Sequence, residues 1–148
     1  MQERISYKIK QITQFLEELE SIKPNNFEEY EDNIEKKAAC ERYCEKIIEC
    51  AVDIAFLCFK EFVLRKDKNI SIPEDDSEVF EILAKKHIIN ESISRKLIEA
   101  KAMRNHLAHK YGDVDDKKVF HAVSEELDQD INSFLDAIEK MLQDEKSV

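Results

Sequence analysis

At 148 residues the chain has the length of a single domain, 1–148, with enough residues to bury a hydrophobic core. One glycine and two prolines leave little material for hairpins and exclude Gly-rich phosphate loops and dinucleotide-binding glycine patterns. The net charge of −10 opposes a non-specific coat on nucleic acid, and the weight of Glu, Lys, Ile, Leu and Ala suits an all-α fold.

In chain order, Ile5, Ile9, Ile12, Leu16 and Leu19 recur at helical spacing and predict a first helix over 3–22. Lys23-Pro24-Asn25-Asn26 stops it. Asn26 followed by Glu29 resembles a capping box and opens a short helical turn over 27–33. A long helix follows over 34–65. Its middle, Cys50–Phe59, is apolar apart from Asp53, so it reads as a central buried helix with Asp53 facing protein. After a polar loop, Asp75 with Glu78 caps a short helix over 77–88. Asn90 caps a helix over 91–110, which Gly112 ends as a C′ residue would. Asp113 or Asp115 starts the last helix, 116–143, where Phe120, Val123, Leu127, Ile131, Phe134, Ile138 and Met141 form a seam. These elements sum to an antiparallel bundle of about five helices, three long and two shorter.

Cys40, Cys44, Cys50 and Cys58 all fall on one predicted helix. A disulfide within a regular helix is geometrically poor, and one helix cannot converge four ligands on zinc. They read as reduced structural thiols in a cytoplasmic protein. The N-terminus is charged throughout, unlike a signal peptide, and no apolar run has the length to span a membrane.

The stretch Lys101–Asp115, KAMRNHLAHKYGDVD, is the densest in chemistry-bearing side chains. Residues 95–110 carry five cations against Glu99, a local +4 on a remainder of −14. A basic patch on an acidic body suits one specific contact, although cations at a helix C-terminal end also complement its dipole. On a helical wheel Ile93, Leu97, Ala100 and Leu107 share a face, with Arg104 in its middle and Tyr111 beside it. An arginine within an apolar stripe needs a partner. Asp53, or Glu49 one turn before it, is the expected one, within the chain or across a dimer. The bland alternative is that Arg104 snorkels to solvent along its stem. Asn105 and His109 share a face at i,i+4, but His109 lies about 140° around from Arg104. Either the helix distorts near its glycine end, or two copies of the stretch meet across a two-fold axis. The second option predicts a homodimer.

The run Arg104-Asn105-x-Leu-Ala-His109-x-Tyr111 resembles the R-x4-H-x-Y signature of HepT-like toxins in the HEPN superfamily of helical nucleases. Glu41-Arg42, ECAVDIA at 49–55, FEILA at 80–84 and the start of the last helix at 115–119 are similar to the family as well, so the likeness covers about residues 3–143. The resemblance implies a HEPN-like bundle and a metal-independent endoribonuclease toxin that needs no cofactor and is commonly dimeric. It also implies pairing with a minimal nucleotidyltransferase antitoxin that can AMPylate the motif tyrosine. Carried onto this chain, Arg104 stabilises the scissile phosphate, and His109 is general base or acid. Asn105 orients His109 or the phosphate, and Tyr111 is the modification target. His106, Lys101 and Lys110 offer further RNA contacts. His106 stands where the family often has another basic or polar residue.

Two other readings compete. His106 and His109, with Asp113 or Asp115, are the candidates for a metal site, but they lack a convincing third ligand and the expectation is no metal. A non-catalytic HEPN module that binds a nucleotidyltransferase partner or a nucleotide would suit the acidic body better than RNA cleavage does.

Overall fold

Helix caps written into the sequence set most of the boundaries. The computed structural model describes residues 2–109 and 115–146, and for His109 the backbone alone. Helix α1 spans Gln2–Ile22, α2 Phe27–Asp32, α3 Ile34–Cys58, α4 Asp76–Lys85, α5 Glu91–His109, α6 Asp116–His121 and α7 Leu127–Lys146. The described residues are all-α, as expected, and α5, at 19 residues, matches the helix expected over 91–110. Asn26 Oδ1 accepts from Glu29 N at 2.9 Å to open α2, and Glu29 in return accepts from Asn25 N. Asp75 accepts from Ser77 N, Asn90 from Ile93 N and Asp115 from Lys118 N, which opens α4, α5 and α6. Each such bond satisfies an amide that the helix cannot pair internally. The expected stop at Gly112 lies outside the described residues.

The α4 boundary differs from expectation. The helix ends at Lys85 rather than Ile88, because His87 turns to φ 60°. His87 N donates to Ala84 O, Ile88 N donates to Leu83 O, and Ile88 packs into the core. This is a Schellman cap, with histidine in the left-handed position that glycine usually fills.

The long helix expected over 34–65 is present, but its last turn, Phe59–Leu64, is π-helical. Arg65 N there donates to Lys60 O five residues back. A second π turn, Ala122–Glu126, joins α6 to α7. The Lys23 ammonium at the end of α1 donates to Ser124 O in that turn at 2.9 Å. A π turn disturbs the regular carbonyl ladder, and here a side chain from another helix takes up one of its acceptors.

The core lies where the apolar stripes meet. Helix α1 packs along α3 through Ile5, Ile12 and Leu19. Ile47, Ile54, Cys44 and Cys58 of α3 are fully buried. From α7, Ile131, Phe134 and Ile138 close the other side, with Phe134 edge-on to Phe80 of α4 at 6.1 Å between ring centres. Phe27, Tyr30 and Phe120 form an aromatic cluster that docks α2 on α6. At the residue level α3 departs from expectation: Asp53 does not face protein. Its side chain is 54% exposed and pairs with Lys8 of α1 at 3.1 Å. The helix is buried on the sides that meet α1, α4, α5 and α7, which leaves Asp53 on a solvated edge.

All four thiols are free and buried. Burial pushes Cys44 and Cys58 up to about 12 and Cys50 to about 11, so they are inert packing groups at neutral pH. Among the described residues no helix is long and apolar enough to cross a membrane.

Candidate active site

Helix α5 carries the motif, and its order follows from both of its ends being tied to neighbours. Asn90 fixes the first turn. Leu97 and Leu107 bury into the core, with Ile93, Ala100 and Met103 half-buried around them. Ser94 is buried too, a position the apolar pattern does not flag. The helix continues to His109, so the backbone positions of Arg104 and His109 stay about 140° apart around it. No distortion up to His109 brings them together. Asn105 stands one turn before His109. Lys110 and Tyr111, both candidates, lie outside the described residues, as does the side chain of His109.

Arg104 projects from α5 towards α3. One guanidinium nitrogen, Nη2, donates to Glu49 Oε1. The other, Nη1, donates to Asn105 Oδ1 at 3.1 Å. Nε is buried and has no acceptor among the described residues. Of the two carboxylates expected to hold Arg104, Glu49 therefore does so, within the chain. Asp53 does not, because Lys8 has taken it. The snorkelling alternative also falls, since the Arg104 side chain is only 26% exposed and ends on a carboxylate. Asn105 contacts the arginine itself, a partnership between neighbours in sequence that the helical wheel did not suggest.

Arg104 forms one wall of a groove of about 340 Å³. Ile48, Val52 and Phe56 of α3 give it an apolar side, with Glu49, Asp53, Asp76 and Lys101 as its other charged groups. A guanidinium has five N–H donors in a rigid fork. Among the described residues Glu49 and Asn105 each accept from one terminal nitrogen and orient the guanidinium plane, and a guanidinium so held can still donate to an oxyanion.

Lys101 does not present a free charge to that groove. Its ammonium lies 2.9 Å from Asp75 Oδ1 and 3.7 Å from Asp76 Oδ2, and its side chain is mostly buried. Asp75 at the same time caps α4 through Ser77 N. The Ser77 amide and then the Lys101 ammonium hold the Asp75 carboxyl below its usual range. Lys101 thus links α5 to the start of α4. His106 is exposed on the opposite flank of α5, beside a second cavity against α6 and α7. Among the described residues no group of three or more His, Cys, Asp or Glu side chains is placed to hold a metal.

Residues 12–138 match the family model described as Ribonuclease HepT-like. The chain is 27% identical over 142 residues to the tRNA nuclease HepT of Aphanizomenon flos-aquae (strain 2012/KM1/D3), which covers 92% of each chain. Among solved structures, the fold is similar to the tri-AMPylated HEPN toxin of Shewanella oneidensis in complex with MNT antitoxin. The TM-score is 0.81 at 20% identity, covering 92% of this chain and 96% of that one. It is also similar to a chain of a toxin–antitoxin crystal structure with AMP-PNP. There the TM-score is 0.79 at 20% identity, covering 92% of this chain and 97% of that one. At that identity the solved structures speak to the fold, while the family model spans most of the sequence. The chain belongs to the ribonuclease HepT-like family.

Proposed function

We propose that this chain is the endoribonuclease toxin of a toxin–antitoxin pair, cutting RNA without a metal and working in the cytoplasm as a homodimer. The observation that carries this reading is Arg104, part-buried in a groove and oriented there through both terminal nitrogens by Glu49 and Asn105. The HepT-like family match and the tRNA nuclease relative support it.

In this mechanism the scissile phosphate docks on Arg104. The adjacent 2′-hydroxyl attacks phosphorus, forming a 2′,3′-cyclic phosphate as the bond to the 5′-oxygen breaks. Arg104 stabilises the charge that builds on the non-bridging oxygens. His109 takes the 2′-hydroxyl proton or protonates the leaving 5′-oxygen, a task that suits an imidazole near neutral pH. Since Arg104 and His109 occupy different sides of a continuous helix, a second copy across a two-fold axis supplies the complementary group. Lys110 and His106 add contacts to the strand. Lys101 is spent on Asp75 and contributes structure instead.

The neutralising partner in this reading is a minimal nucleotidyltransferase. The solved relatives support it, because one is a tri-AMPylated toxin in complex with MNT antitoxin. Transfer of an adenylyl group from ATP to the Tyr111 hydroxyl releases pyrophosphate and leaves a phosphodiester anion near the C-terminal end of α5. That anion competes with RNA phosphate for Arg104.

The second reading, a non-catalytic module that binds the nucleotidyltransferase or a nucleotide, draws on one observation. Three carboxylates (Glu49, Asp53 and Asp76) line the Arg104 groove against two cations. Coexpression with the partner, followed by mass analysis of Tyr111 peptides, tests the modification. An added AMP mass lost in Tyr111→Phe supports it, and its absence refutes it. RNA cleavage by the purified chain separates enzyme from module.

A further inference from the structure

The second cavity, of about 430 Å³, lies between α5 and the α6–α7 helix. Met103, Leu107, Val119, Ala122 and Leu127 contribute apolar lining. Its size falls in the range of small-molecule sites, and an apolar slot with a few polar groups at its rim is the usual form of such a site. Lys96, His106 and Lys118 share its lining with four carboxylates, Glu99, Asp115, Glu126 and Asp130. Lys96 and Asp130 meet at one end, with Nζ 3.6 Å from Oδ1. His106 is ten residues further along α5, about 15 Å at the helical rise. Lys118, twelve residues before Asp130, also lies towards that far end.

The Lys96–Asp130 end is the informative one. Asp130 is largely buried, with its side chain 15% exposed. Desolvation pushes its carboxyl up, against the pull of Lys96. At 3.6 Å the pair is too long for a good hydrogen bond. An ammonium therefore stands next to two carboxylate oxygens at the end of an apolar slot, a donor beside two acceptors. The Watson–Crick edge of guanine presents the complement: the O6 acceptor, then the N1–H and N2–H donors. Adenine and cytosine each offer only one N–H-bearing group on that edge, and inosine lacks the 2-amino donor.

We propose that this cavity is a nucleobase subsite for a guanine in single-stranded RNA, with Asp130 accepting from N1 and N2, Lys96 donating to O6, and His106 and Lys118 meeting a backbone phosphate. The choice of RNA as ligand rests on the nuclease reading above. Arg104 and His106 are on opposite flanks of α5, so the guanine belongs to a nucleotide flanking the cut rather than to the scissile phosphate itself. A strand held on both flanks would wrap around α5 from Arg104 back to Lys96, and the cavity would impose a base preference on cleavage.

The test is calorimetric titration of the full chain with GMP, IMP, AMP and CMP, run beside cleavage of RNAs that differ at single guanines. GMP is expected to bind about tenfold tighter than IMP, the effect of one hydrogen bond to a carboxylate, and tighter still than AMP or CMP. Asp130→Asn should remove the preference for GMP over AMP. This change keeps the side-chain shape, and far-ultraviolet circular dichroism checks that the variant stays folded. Lys96→Met should weaken GMP and IMP alike. Equal binding of GMP and CMP, no GMP binding, or an unchanged preference in Asp130→Asn overturns the subsite. If the chain cuts RNA but ignores GMP, the subsite fails and the nuclease reading stands. If it selects GMP but cuts no RNA, the pocket stands and the nuclease reading fails.

Discussion

Glu49 gives Arg104 its orientation, and that has a measurable consequence. Glu49→Ala removes the carboxylate from the terminal guanidinium nitrogen and leaves Asn105 alone to hold it. A charge-assisted hydrogen bond is worth about 1.5–3 kcal/mol, so RNA cleavage should fall by roughly tenfold to a hundredfold, mostly in kcat. Glu49→Gln keeps an acceptor and should recover part of the loss. A faster Glu49→Ala variant would instead mean that Glu49 competes with the RNA phosphate. Asp53→Asn should change cleavage little, since Asp53 pairs with Lys8 on an exposed edge. The sequence marked Arg104 correctly as an arginine in need of a carboxylate and narrowed the choice to two. It could not decide between them, because Glu49 and Asp53 are one turn apart on α3. What decides is Lys8, which sits on the exposed edge of α1 and takes Asp53. That competing cation is visible only once α1 is packed against α3.

At the scale of the element, the helix starts were readable and one helix end was not. Asn26, Asp75, Asn90 and Asp115 are short polar side chains just before apolar periodicity, and each bonds an amide in the first turn. Asn90→Ala should cost about 1 kcal/mol. Chemical denaturation reads this as a lower midpoint with an unchanged slope, and an unaltered midpoint would count against the cap. The end of α4 carries no such sign, because histidine rather than glycine takes the left-handed position at 87. His87→Gly should therefore stabilise the chain by up to about 1 kcal/mol. A lower melting temperature for this variant would show that the His87 side chain contributes more than its backbone costs. Neither π turn was legible either. Each adds a residue to a turn without altering composition, and Lys23, the side chain that meets the second one, is 101 positions away in sequence.

At the scale of the whole molecule, composition and periodicity were enough for the all-α bundle. One glycine rules out most alternatives, and the stripes of α1, α3 and α7 each bury where their spacing requires. The burial of the cysteines has its own check. With Cys44 and Cys58 pushed up to about 12, a thiol reagent at pH 8 should label the folded chain slowly and all four cysteines rapidly in denaturant. Rapid labelling of the folded chain would contradict the packing of α3. What composition could not resolve is how an acidic chain handles an anionic substrate. The structure locates the difficulty, since Arg104 shares its groove with three carboxylates and Lys101 is already paired. In the proposed mechanism one part-buried guanidinium from each of two copies has to supply most of the local attraction for phosphate.

The most direct test of the account is cleavage of a tRNA pool by the purified chain in EDTA, with Arg104→Ala and His109→Ala as paired variants. Discrete fragments ending in 2′,3′-cyclic phosphate, undiminished by EDTA, are expected, with a loss of at least a hundredfold in each variant while both remain folded dimers. An uncut pool, activity abolished by EDTA, or variants as active as the parent would contradict it.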